Sequence, residues 1–150
     1  MLKSARKRTE GLGRRAGIRR TAKRRAGITA SQWRELEGLW KAAVHARAGG
    51  VCEMAGKEGH ACNGPLQCHH IITRRVKILF ADVKNGLLLC KGAHYWWHEV
   101  AQGGEQWKWF EYRFGSVRLD YLNAVRNSRE KPQYGLLKDA LVKAYGQEVL

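Results

Sequence analysis

The chain has 150 residues, 28 Lys and Arg against 13 Asp and Glu, and a formal net charge of +15. That length fits one domain, and a 44% hydrophobic content with six tryptophans excludes a fully disordered chain. No apolar run nears the ~20 residues of a membrane span, and the basic start leads into no signal-peptide core; the expectation is a cytoplasmic protein with neither a membrane nor a small molecule as partner.

Residues 1–30 hold eleven Lys and Arg against one acid, Glu10. The five residues Arg14–Ile18 recur as Arg24–Ile28, and large apolar residues are almost missing. Such a segment cannot bury itself and reads as a basic flexible arm on a polyanion, with Arg14, Arg15, Arg24 and Arg25 as phosphate contacts. Residues 31–150 read as a single domain. Thr29 and Gln32 have capping-box spacing, and Trp33, Leu36, Leu39, Trp40 and Val44 recur at helical spacing up to Gly49-Gly50. Asn63-Gly64 predicts a turn, Leu66–Ile72 a strand, and Asn85-Gly86 the start of a loop. Leu87–Cys90 leads into a helix toward Val100. Three further helices are expected near 105–113, 116–128 and 134–146, with Pro132 between the last two.

Four of the six histidines form two tight pairs, His69-His70 and His94-x-x-x-His98. The second pair shares one helix face. The first lies in the expected strand, where neighbours point to opposite sides. One of them can therefore join His94 and His98 around a divalent metal with open positions, leaving the other as a general base. A single such pair is a weak signal; two pairs in a strand–loop–helix context, with Asn85 between, form a much stronger one.

The segment from His69 to His98, with spacings His70 to Asn85, His70 to His94 and His94 to His98 of 15, 24 and 4 residues, resembles the HNH (ββα-metal) endonucleases. The double histidine is similar to the colicin and pyocin DNase version; Leu87-Leu88-Leu89-Cys90 and the basic arm look more like small phage and prophage HNH proteins. The resemblance covers about residues 51–99, a third of the chain, and implies a ββα-metal centre; with the helices read from periodicity on either side, including the helical part over 105–147, the expected fold is α+β, a ββα-metal centre flanked by helices. The resemblance also implies His70 as general base, His69, His94 and His98 as ligands of a catalytic Mg, Mn, Ni or Zn ion, and Asn85 as the catalytic-site residue that fixes the loop and helps to orient His70. His98 is open to a second role, contact with phosphate alone. Arg74 and Arg75 are either clamps on flanking phosphates or ordinary surface charge.

Many HNH proteins also hold a structural zinc on two C-x-x-C knuckles. Here Cys52-x-x-Ala55 and Cys90-x-x-Ala93 resemble both knuckles with the second cysteine lost. Cys52, Cys62, Cys68 and Cys90 then either form one rearranged zinc site or are buried thiols or, under oxidising conditions, disulfides; His60 is an alternative ligand, read first as a loop residue. Trp96 and Trp97 are read as core, at least one of them. The expected function is metal-dependent cleavage of double-stranded or branched DNA. The alternatives are a non-catalytic nucleic-acid-binding module and a toxin DNase with an acidic immunity partner.

Overall fold

The computed structural model describes residues 27–149. Helix α1 spans Ala30–Arg47. Its start is a capping box: the Thr29 hydroxyl accepts from the Gln32 amide at 3.3 Å, and the Thr29 amide donates to Gln32 Oε1 at 2.9 Å. Its end is set by Gly49 and Gly50, with φ of +59° and +68°. Ile28 packs on the core and Thr29 is the cap, so these two residues of the 1–30 stretch belong to the packed part. Arg14, Arg15, Arg24 and Arg25 lie outside the described residues.

Strands β1 (Leu66–His70) and β2 (Gly86–Cys90) form an antiparallel pair in which Cys68 faces Leu88, His69 faces Leu87 and His70 faces Gly86. A two-stranded sheet is marginal alone, and here β2 is buried along its whole length. Leu88 joins Leu36, Trp40, Val44, Phe80 and Leu141 on one side; Leu87 and Leu89 join Met54, Leu79, Trp97, Phe110 and Leu122 on the other. The sheet is thus the wall between two apolar clusters. The first is closed by α1 and α5 (Tyr134–Val149), which Glu35 clasps through Lys138 and the Tyr134 hydroxyl. The second is closed by α2 (Lys91–Tyr95), its π-helical continuation Trp96–Val100, α3 (Glu105–Phe114) and α4 (Ser116–Asn127). The fold is therefore α+β. Among the described residues no helix is long and apolar enough to cross a membrane.

Three local expectations change. The strand expected over 66–72 stops at His70, because the Asn85 side chain takes the Ile72 amide at 2.7 Å and the Ile72 carbonyl at 2.9 Å out of the ladder. Asn85-Gly86 ends the connecting loop instead of opening one. Gly86 is a glycine for packing, not for turn geometry: its φ is −105°, and a Cβ there would lie 2.4 Å from Val44 Cγ2 and 2.9 Å from Trp40 Cζ2. The helix toward Val100 widens into a π-turn at Trp96, closed by the Ala101 amide on the Trp96 carbonyl.

Two guanidinium groups hold the loop. Arg47 donates to the carbonyls of Val83 and Gly86 and pairs with Glu53 at 2.6 Å. Arg118 donates to the carbonyls of Lys84 and Gly86. Burial, with the neighbouring Arg47, pulls Arg118 down to about 10, still charged at neutral pH.

Candidate metal centres

The alternation of β1 separates the two adjacent histidines. His69 turns toward α2, where the ligand nitrogens of His69, His94 and His98 lie within 4.8 Å of one another. The three rings are 4.8 to 5.1 Å apart, centroid to centroid. His69 is 5% exposed, and its Nε2 is a buried polar atom without a hydrogen-bond partner. Such an orphan is costly unless something satisfies it; a metal ion at the centre of the three imidazoles would. Burial first, then the neighbouring His94, His98 and His70, pushes His69 down to about 3. Burial and His98 also lower His94. Neutral imidazoles are the ligating form, so this donor set fits a divalent ion.

His70 turns the other way, toward α1. Its ring stacks on Trp40 at 3.9 Å with a 9° interplanar angle. Its Nε2 lies 2.9 Å from the Phe80 carbonyl. A carbonyl only accepts, so Nε2 carries the proton and Nδ1 keeps the free lone pair. Burial lowers the His70 pKa, and the bond to Phe80 opposes that shift. Both faces of β1 open on one cleft of about 460 Å³, bordered by His69, His70, His94, His98, Thr73 and Arg74. Arg75 does not border it.

Asn85 is fully buried, and its side chain makes its hydrogen bonds to backbone groups of the loop rather than to either histidine. Beyond its two bonds to Ile72, its Nδ2 donates to the Leu79 carbonyl at 3.0 Å. The next carbonyl, that of Phe80, is the one holding His70. Asn85 therefore acts on the loop that tethers His70.

No protein-family model, curated protein or solved structure matches this chain.

The second centre is made by Cys52, His60, Cys62 and Cys90, whose ligand atoms also lie within 4.8 Å of one another. These four can hold a metal ion. His60 Nε2 is 3.5 Å from the sulfurs of Cys62 and Cys90. The Cys90 amide donates to Cys52 Sγ and the Ala93 amide to Cys90 Sγ, each at 3.3 Å, so sulfur-directed amides remain at a knuckle that has Ala93 in place of a second cysteine. Burial pushes the Cys90 thiol up, but the amides of Ala93 and Asn63 and the thiols of Cys52 and Cys62 bring it below its ordinary value.

Cys68 is a correction to the expected set of four cysteines. It lies on the α1 face of β1, with its sulfur on the Lys41 carbonyl at 3.7 Å, and His60 stands in the group instead. The spacing His60-x-Cys62 is the signal in the sequence that points to it. Trp96 and Trp97 are both buried; Lys57 sits 4.0 Å over the Trp96 ring, and Trp97 packs against His69, Trp107 and Trp109. Trp97 also borders the cleft of the histidines. Arg47 and Arg118, which hold the Asn85 loop, carry no recognisable signal in the sequence.

Proposed function

We propose that this chain is a metal-dependent endonuclease of the HNH (ββα-metal) kind that hydrolyses phosphodiester bonds of double-stranded or branched DNA. One observation carries the reading: adjacent histidines on β1 face opposite ways, one into a three-imidazole group and one into a tethered, neutral pose, yet both border one cleft with Arg74. In this reading His69, His94 and His98 hold a divalent ion, Mg, Mn, Ni or Zn. When bound, that ion supplies Lewis-acid stabilisation of the phosphate and the departing 3′ oxygen.

His70 takes a proton from the attacking water on Nδ1, while its Nε2–H stays on the Phe80 carbonyl. The water oxygen bonds to phosphorus, the bond to the 3′ oxygen breaks, and solvent returns a proton to that oxygen. Arg74 positions the phosphate as a donor. Asn85 keeps the 71–85 loop, and with it the Phe80 carbonyl, in place. The Cys52, His60, Cys62 and Cys90 group is read as a structural zinc site, since three thiolates and an imidazole suit zinc. The resemblance of the motif to small phage and prophage enzymes extends the proposal to phage or prophage DNA processing.

A plasmid-nicking assay on the wild type and His70→Ala, with EDTA and then Mg, Mn, Ni and Zn in turn, tests the reading. The expected result is metal-dependent nicking that the variant loses by about 100-fold or more, with metal content and DNA retardation on a gel unchanged. Equal nicking by both proteins would reject His70 as the base. No nicking by either, with DNA still retarded, would replace the enzyme by a binding module.

A further inference from the structure

Trp40 belongs to α1, outside the strand–loop–helix segment that carries the candidate chemistry. Its indole is 1% exposed, and space filling would account for that alone. The geometry goes further. Among the described aromatic pairs, Trp40 and His70 form the one parallel stack, at 3.9 Å and 9°; the others meet edge-on or tilted, as Phe80 does with His70 at 32°. The indole is itself fixed at two further points. Its Nε1–H donates to the Asp82 carbonyl at 2.9 Å, and Gly86 lies so close to its six-membered ring that a Cβ would stand 2.9 Å from Cζ2. Asp82 and Gly86 flank the short turn that ends at Asn85. One rigid ring thus joins the Asn85 loop to the plane of the His70 imidazole.

We propose that Trp40 is a positioning residue for His70: its indole face fixes the imidazole plane so that Nε2–H meets the Phe80 carbonyl and Nδ1 is left free toward substrate. The consequence for catalysis rests on the nuclease reading; the consequence for the ring does not. A flat face resists rotation of the imidazole about its bond to Cβ, and a flexible side chain in the same space does not. Placement of a base matters at this level, since a misplacement of about 1 Å costs on the order of 100-fold in rate.

The test compares Trp40→Phe, which keeps an aromatic face but loses the indole donor, with Trp40→Met, which fills the space with a flexible apolar chain. Nitrogen-15 NMR of the imidazoles is recorded on the full chain with zinc added, with His70→Gln identifying the His70 signals. Wild type and Trp40→Phe are expected to show His70 as a single tautomer protonated at Nε2, with that ring proton protected from water. Trp40→Met is expected to show both tautomers and to lose the protection. In plasmid nicking, Trp40→Met lowers kcat about 10- to 100-fold with KM for DNA unchanged, and Trp40→Phe restores most of it.

A single protected Nε2–H tautomer in Trp40→Met, or an equal fall in kcat for both variants, would overturn the proposal and leave Trp40 as packing alone. If Trp40→Met fails to fold, Trp40→Phe decides: a second tautomer there overturns the proposal. If the wild type does not nick DNA with any metal, the nuclease reading falls, and the NMR comparison still decides whether Trp40 sets the ring.

Discussion

At the scale of single residues, Asn85 shows how a small buried amide can hold a loop through backbone groups alone. It has no exposure to solvent, and its side chain satisfies three backbone groups, the Ile72 amide and the carbonyls of Ile72 and Leu79. Asn85→Ala strands all three in the interior. Unfolding in urea is expected to show a loss of about 2–4 kcal/mol, and a loss below about 0.5 kcal/mol, the range of an ordinary surface substitution, would mean that the loop is held by Arg47 and Arg118 alone. His69 carries the second prediction at this scale. In the chelated protein its folded-state pKa, about 3, lies below the value of ~6.5 for an unfolded chain. The unfolded state then binds the extra proton between these values, so His69 contributes stability above pH ~6.5 that is lost as pH falls toward 3, with a slope of up to ~1.4 kcal/mol per pH unit. Urea midpoints measured from pH 7 to 4 check this, and the slope should flatten in His69→Phe.

At the scale of elements, much is legible in the sequence. The capping box at Thr29, the stop at Gly49-Gly50 and three C-terminal helices are readable because caps, glycines and periodicity act locally. The strand rule places His69 and His70 on opposite sides. Which of them faces α2 is not legible, since that depends on pairing with β2 and on the two clusters that flank it. The same limit hides the exchange of Cys68 for His60: cysteine spacing says nothing about which face of a strand a thiol occupies. Gly86 reads as a loop signal because glycine's absent side chain serves two purposes, positive φ and close approach, and the sequence does not say which. Gly86→Ala tests the second. Its backbone is ordinary, so the cost is steric, and a thermal melt should show about 1–3 kcal/mol of destabilisation from crowding Trp40 and Val44. An unchanged melting temperature would mean that α1 can shift away from β2 freely.

At the scale of the whole molecule, charge is divided between two parts. All of the first eleven bases fall within residues 1–26, and residues 31–150 carry the other seventeen Lys and Arg against twelve acids. If nucleic acid is the partner, a truncation that begins at Gly27 removes the bases while keeping Ile28 on the core and Thr29 as cap. Its binding to duplex DNA should weaken, and the slope of log affinity against log salt should become shallower by about 0.9 for each phosphate that the arm neutralises. An unchanged slope in a salt titration by fluorescence anisotropy would remove the arm from the interface.

The sheet that separates the two apolar clusters also makes the molecule unequally sensitive to two kinds of change. Substitutions on either face leave the number of residues leading into β1 unchanged. A deletion or insertion of one residue between Gly64 and Leu66 offers β1 another outcome, a slip by one position along β2. Side chains repeat every two residues, so such a slip would carry His70 to the α2 side and His69 onto Trp40, and would also turn Cys68 from α1 toward α2. Every residue type would still be present, with the proposed ligand and the proposed base exchanged. In the nuclease reading, the placement of the two histidines therefore depends on the phase of one five-residue strand.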